Sequence, residues 1–316
     1  MMNVIEKRTG IYDAIRNNCK THSDEGIFIS IDINKSHFEF LKKVTKKYII
    51  KTLKEWYTTK KYDLDNENYL VDYRDDIISL PNITPNGSFY PKIENITEYN
   101  EIQMALNDIL IHHNLHACFS TVANFNIRVQ DGKNRQYENR MYSTTKLHSD
   151  SWVGHVGDAI LTILIDGDRS TGINFYKPIG EVSEDFFTKI DDFDKGLKFF
   201  SELRYLCAAD FEYAYIFDHG CLHKTTKNNG GLRVSIDMGI TMKNSTGAIE
   251  HNKENSIKRH PYMSIDDFLK LGTENIIGAT ETLMDAHKKY SDHSKYNEKP
   301  KDSIYSNLKL DKGGKK

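Results

Sequence analysis

Two stretches of the chain place a histidine and an aspartate two positions apart: His22-Ser23-Asp24 in KTHSDEG and His148-Ser149-Asp150 in KLHSDSW. Imidazole nitrogens and carboxylate oxygens are both ligands for divalent first-row metals. In an extended strand, residues i and i+2 point to the same face. Either pair is therefore able to converge on one ion with its serine turned away. A third ligand must come from elsewhere, and that requirement separates the two copies. Downstream of His148 lies FDHGCLHKTTKNNGGLRVSID, residues 217–237, with His219, His223 and Arg233-Val234-Ser235. His22 ends the segment YDAIRNNCKTH, which does not read as a strand, and no comparable set follows His22 and Asp24 unless the better copy is skipped. The expected ligands are His148 and Asp150, and the expected setting of His22 and Asp24 is a solvated loop.

The stretch from Gly231 to Ile240 carries a second signal. Leu232, Val234, Ile236, Met238 and Ile240 alternate with Gly231, Arg233, Ser235, Asp237 and Gly239. One strand face is apolar, and the other holds an arginine beside a serine. A guanidinium on an inward face needs an anion, because an unpaired buried charge is costly. Asp237 is one candidate partner. A ligand carboxylate is the other, and a guanidinium fork with a neighbouring hydroxyl suits it well.

Taken together, His148-x-Asp150, a distal His223 and Arg233-x-Ser235 ten residues later resemble the motif of the Fe(II)/2-oxoglutarate-dependent dioxygenases. The resemblance covers about 118–243 and is nearest to the phytanoyl-CoA-hydroxylase-like branch. It implies a double-stranded β-helix, the cupin-like jelly roll, with His-x-Asp at the end of the second core strand, the distal histidine on the seventh and Arg-x-Ser on the eighth. It implies that His148, Asp150 and His223 hold Fe(II), and that Arg233 and Ser235 hold the distal carboxylate of 2-oxoglutarate. O2 completes the cofactor set, and the products are succinate, CO2 and an oxidised substrate. The gap usual in the family favours His223 over His219, which follows Asp218 in a polar turn. Related halogenases lack the carboxylate, so Asp150 points to hydroxylation, with desaturation, ring closure or epimerisation as variants.

Weaker candidates surround this set. Trp152 and His155 follow the His-x-Asp and are candidate substrate contacts, with a core role the competing reading for Trp152. Asn126 and Arg128 share a strand face, where Asn126 is a candidate substrate contact and Arg128 a candidate cosubstrate contact. Thr162 either reaches the cosubstrate or bonds its own backbone. His112, His113 and His116 lack the glutamate of an H-E-x-x-H motif and read as ordinary histidines at a helix end.

Elements able to position these groups are legible around them. From about residue 118 to 243 the period is two: CFSTVANFNIRVQ, DAILTILIDG, STGINFYKP, FEYAYIFD and GLRVSIDMGI are separated by Gly, Asp and Asn turns. This predicts a mainly β core with flanking helices. A helix is predicted over 36–60, a second over 98–114, a short one near 183–193 and two more over 264–290, where Ser264 and Asp267 form a capping box. Residues 62–97 read as loops with short strands. The expected organisation is a single domain: a helical elaboration over 1–117, the β core over 118–243, C-terminal helices over 244–290 and a polar lysine-rich tail over 291–316.

The composition sets outer bounds. With 38% hydrophobic and 28% charged residues and a net charge of −2, the chain reads as globular, without the basic footprint of a nucleic-acid binder. Its four cysteines form no C-x-x-C pair, and MMNVIEKRTG has no apolar signal region. No apolar run is long enough to span a membrane. A cytoplasmic protein is expected; a small, polar substrate is what the family resemblance implies, and no oligomeric state is implied. Three other readings share parts of the pattern: a non-redox cupin-like metalloenzyme of the isomerase type, a protein-hydroxylating oxygenase, and a non-catalytic binding module.

Overall fold

The computed structural model describes residues 2–84, 86–89, 95–133, 141–155, 157–245 and 262–272. The N-terminal part gives a 3-10 turn, Glu6–Tyr12, helix α1 (Asp13–Asn18), a two-residue strand β1 (Ser23–Asp24) and strand β2 (Phe28–Asp32). Helix α2 (Lys35–Trp56) starts where the Asn34 side chain accepts the Ser36 N–H, and it buries Phe38, Leu41, Val44, Tyr48, Ile49 and Leu53. Their three-to-four spacing is that of one helix face. Short helices α3 (Tyr69–Asp72) and α4 (Arg74–Ile78), strand β3 (Ser88–Phe89) and helix α5 (Ile96–His112) follow. The predicted helical elaboration over 1–117 thus also supplies strands β1 and β2, and the stretch 62–97, predicted as loops with short strands, holds short strand β3 together with two short helices.

The core strands are β4 (Phe119–Ala123), β5 (Asn126–Asp131), β6 (Ala159–Gly167), β7 (Ile173–Val182), β8 (Phe200–Ala208), β9 (Tyr213–Asp218), β10 (Leu222–Thr225) and β11 (Leu232–Met242). A last strand, β12 (Tyr262–Ser264), pairs with β4. In the large sheet β11 is central: β6 pairs along one side of it, while β5 and then β4 pair along the other, and β9 and β2 extend the sheet beyond β6. The small sheet runs β10-β7-β8, and an isolated bridge between His148 and His223 adds the segment leading into Asp150 at its edge.

This strand order defines the architecture. From β5 onward the chain visits the large sheet, the small sheet at His148, the large sheet at β6, the small sheet at β7 and β8, the large at β9, the small at β10 and the large at β11. Eight antiparallel segments wound between two facing sheets make a double-stranded β-helix, or jelly roll. The Asn228–Gly231 turn is therefore a corner that takes the chain from one sheet to the other, not a hairpin.

Two apolar clusters follow from the strand alternation. Leu232, Val234, Ile236, Met238 and Ile240 of β11, with Leu161 and Ile163 of β6, pack outward against α2 and α5. Ile160, Leu164, Phe175, Tyr215, Phe217 and Leu222 fill the space between the sheets. The inward face of β11 is the one that carries Arg233 and Ser235.

The predicted helix near 183–193 is replaced by two 3-10 turns, Glu184–Phe187 and Phe193–Phe199. Ser264 caps the helix Ile265–Lys270, accepting the Asp267 N–H and donating to its carboxylate. The rest of the predicted C-terminal helices and the lysine-rich tail lie outside the described residues. No helix among the described residues is long and apolar enough to cross a membrane.

Candidate metal centre

The edge of the small sheet brings the two histidines together. The His148 N–H donates to the His223 carbonyl at 3.0 Å, and the His223 N–H donates to the His148 carbonyl at 2.9 Å. Their rings lie 4.2 Å apart between centroids. Extended backbone at Ser149 turns Asp150 back to the same side, and Asp150 opens a 3-10 turn that runs to Val153. Ser149 faces away, as strand alternation requires: its hydroxyl donates to the His219 carbonyl. Ligand-capable atoms of His148, Asp150 and His223 all lie within 4.8 Å of one another, and His223 Nε2 is 3.8 Å from Asp150 Oδ2. This is the one such three-residue cluster among the described residues.

The donors are held in metal-binding states. His148 Nδ1 lies 2.8 Å from the Lys146 carbonyl, which accepts its N–H and leaves Nε2 for a metal. The Lys146 ammonium reaches Asp192 and Asp194, fixing the turn whose Phe193 stacks on the His148 ring at 4.4 Å. Burial, then the neighbouring His223, lowers the His148 pKa to about 3. Burial also lowers that of His223. Burial alone would raise the Asp150 carboxyl, but His223, His155, His148 and His219 together hold it below the usual carboxylate range. Two neutral imidazoles and one carboxylate form a donor set suited to a divalent metal, with Fe(II) among those it fits.

The Arg233 side chain supplies the second half of the site. Arg233 is 1% exposed, and its Nε and Nη1 have no hydrogen-bond partner. Ser235 Oγ, also buried, has none either. Burial lowers the Arg233 pKa to about 10, still cationic at neutral pH. Asp237 is close enough to favour the Arg233 charge but does not hydrogen-bond its unpartnered Nε or Nη1. One Asp237 oxygen takes the Arg128 Nε–H, and the other accepts the Thr162 hydroxyl at 2.9 Å. An orphaned buried guanidinium beside an orphaned hydroxyl is a cradle for a ligand carboxylate.

Several predicted contacts fall differently. Arg128 pairs with Asp237 and donates to the Asn86 carbonyl, so neither it nor Thr162 is held open for a cosubstrate. Trp152 is core, not substrate wall. It is fully buried among Phe186, Phe193 and Phe199, and its indole N–H donates to the Phe186 carbonyl at 2.8 Å. The 3-10 turn after Asp150 rotates it away from the ligands. Gly196 lies flat against the indole, where a Cβ would come within 2.3 Å of the ring. His155 stays close, half-buried, with its N–H on the Asp150 carbonyl at 3.2 Å. Asn126, half-buried on β5 opposite Asp237, donates to Ser88 Oγ at 3.2 Å.

The earlier histidine–aspartate pair is structural. His22 lies 3.1 Å from Asp32, and Asp24 pairs with Arg16 at 2.6 Å within strand β1, so this segment is an ion-paired edge strand instead of a free loop. His112 packs on His37 and His113, while a His116 ring nitrogen bonds the Leu110 carbonyl.

His219, the alternative distal histidine, is buried with both ring nitrogens unpartnered, and burial lowers its pKa to about 4. Two further features carried no sequence signal strong enough to be singled out as site elements. Phe193 forms a wall against His148 from 45 residues away. Tyr262 reaches over the inner face of β11, where a Cβ at Gly239 would lie 2.3 Å from its hydroxyl. A surface cleft of about 560 Å³ bounded by Lys54, Lys60, Tyr62 and Tyr73 involves none of these groups.

No family model matches the chain, and no curated protein does. Among solved structures it is similar to the non-heme α-ketoglutarate-dependent carbocyclase SnoK from nogalamycin biosynthesis, at 10% identity over 73% of this chain and 83% of that one, TM-score 0.36. It is similar to AviO1 from Streptomyces viridochromogenes Tue57, at 11% identity over 78% of this chain and 98% of that one, TM-score 0.35. A prolyl 4-hydroxylase from Phytophthora capsici aligns at 9% identity over 94% of this chain and 92% of that one, TM-score 0.33. At such scores the chemistry rests on the chain's own residues: a jelly roll that joins a two-histidine, one-carboxylate cluster to an unpartnered arginine–serine cradle.

Proposed function

We propose that the chain is an Fe(II)- and 2-oxoglutarate-dependent oxygenase that hydroxylates a C–H bond of a small, polar metabolite. One observation carries this reading: the inward-facing Arg233 and Ser235 lack partners in the same barrel that gathers His148, Asp150 and His223. A keto diacid has the two ends that such a pair of sites would hold. Its distal carboxylate would pair with the Arg233 fork and the Ser235 hydroxyl, and its keto-acid end would be left for the metal.

With both bound, the metal and the keto acid supply the oxidation: O2 is consumed, 2-oxoglutarate leaves as succinate and CO2, and one oxygen atom enters the substrate C–H bond. The protein's part is placement and exclusion of water. His148, Asp150 and His223 would hold the ion, and a set of three protein ligands would leave it open positions for the keto acid. Phe193, Phe175 and Phe217 wall the histidines. The half-buried Asn126 and His155, with the Arg128–Asp237 pair, give the site a polar side that favours a polar substrate.

The test is calorimetric titration of the Co(II)-loaded protein with 2-oxoglutarate without oxygen. Wild type should bind it and Arg233→Met should not. Metal uptake without any 2-oxoglutarate binding would favour a non-redox metalloenzyme of the same fold, for which Arg233 and Ser235 have no task.

A further inference from the structure

Three strand ends meet a side chain from the N-terminal 3-10 turn Glu6–Tyr12. Arg8 is 5% exposed, and its Nε lies 2.8 Å from both carboxylate oxygens of Asp218 at the end of β9. Its Nη2 donates to the Asp158 carbonyl, just before β6, at 3.2 Å. The fully buried Tyr12 donates its hydroxyl to Asp218 Oδ2 at 2.6 Å. Asp158 in turn accepts the Met242 N–H and the Ser245 hydroxyl, each at 2.8 Å, beyond the inner stretch of β11. Burial works against the Arg8 charge, but Asp218, Tyr12 and Asp158 more than restore it.

This cluster grips the turn that leads into β10. Asp218 Oδ1 accepts the Gly220 N–H at 2.6 Å, and its carbonyl accepts the Cys221 N–H at 2.8 Å. Ile5 presses on the same turn, and a Cβ at Gly220 would lie 3.2 Å from it. The His219 carbonyl in this turn receives the hydroxyl of Ser149, the residue between His148 and Asp150. Backbone pairing locks His148 to His223, but Asp150 lies past that bridge, in the 3-10 turn.

We propose that Arg8 and Tyr12 are positioning residues for the metal centre: by clamping the Asp218–Cys221 turn they fix the His219 carbonyl, and through Ser149 they set Asp150 against His148 and His223. The inference rests on the metal reading given above. It assigns the N-terminal 3-10 turn a part in a site more than 130 residues away in sequence.

The test uses the full chain with Arg8→Lys, which keeps the charge and loses the fork, and Tyr12→Phe, which removes only the hydroxyl and preserves the core. Leu53→Ala, in the buried face of α2, serves as a destabilised control. Backbone amide exchange over 219–223 is followed in the metal-free protein, and Co(II) affinity by visible absorbance. Both clamp variants should exchange faster over 219–223 and bind Co(II) about tenfold more weakly, as loss of an orienting outer partner does. The control should melt earlier with neither change. Wild-type exchange over 219–223, or wild-type Co(II) affinity and spectrum, in both clamp variants would overturn the positioning role alone. A wild-type protein that takes up no Co(II) would overturn it together with the metal reading.

Discussion

His148 and His223 exchange both backbone hydrogen bonds, so residues 75 apart in sequence form one cross-strand pair. Because that pairing is made by main chain, removing either side chain leaves the bridge intact. His223→Ala should keep the fold and lose Co(II) or Fe(II) affinity on the order of 100-fold or more, exceeding the effect of losing an outer-shell partner. Circular dichroism checks the fold and metal titration the site. Unchanged affinity would remove His223 from the ligand set and return attention to His219.

Arg233 is a buried cation without a hydrogen-bond partner on Nε or Nη1. Such a group destabilises the metal-free protein and is stabilised by its ligand. Arg233→Met should therefore raise the melting temperature of the metal-free protein, by ~2 °C or more given the usual conversion of about 1 kcal/mol to a few degrees. The same variant should lose the further stabilisation that 2-oxoglutarate gives wild type. A variant that melts earlier and still responds to 2-oxoglutarate would place the carboxylate elsewhere.

Much of this was readable from the chain, and the misses share a cause. The strict alternation of β11 showed that Arg233 and Ser235 share a polar face. The repeated period-two runs announced the β core. Whether Asp237 was free to neutralise Arg233 depended on Arg128, which sits across the β5–β11 register and is 109 residues distant. Trp152 was a candidate for either pocket or core because it follows the His-x-Asp, and a 3-10 turn there carries it into the core. Arg8 gave no local sign at all, since its partner is 210 residues away. Local periodicity reports which face a residue takes; it does not report which distant partner has already claimed it.

The buried imidazoles make the metal-free protein acid-sensitive. His148 and His219 titrate in the folded state near 3 and 4, against about 6.5 when unfolded. Between those values the unfolded chain binds protons that the folded one refuses. Their stabilising contribution is thus complete above about pH 6.5 and is lost as pH falls toward the folded values, at about 1.4 kcal/mol per pH unit for each proton. The melting temperature should fall from pH 7 to 5, and His219→Asn should make that fall shallower. A flat profile over this range would mean that these histidines are not buried in neutral form.

Trp152 separates core from pocket. As a fully buried ring with a satisfied indole N–H, it should cost ~3–5 kcal/mol of stability when truncated to alanine. Trp152→Phe should cost less, losing the bond to the Phe186 carbonyl while keeping most of the packing. Denaturant unfolding measures both, and a near-neutral Trp152→Ala would return this residue to the substrate wall.

The central claim, that one barrel holds a metal at His148, Asp150 and His223 and a keto acid at Arg233, is tested most directly by anaerobic titration of the metal-free protein with Fe(II) and 2-oxoglutarate under visible light. A keto acid chelated to Fe(II) gives a weak charge-transfer absorption. The account predicts that band in wild type and its loss in both His148→Ala and Arg233→Met. Bound iron without the band, or a band that survives either substitution, would contradict it.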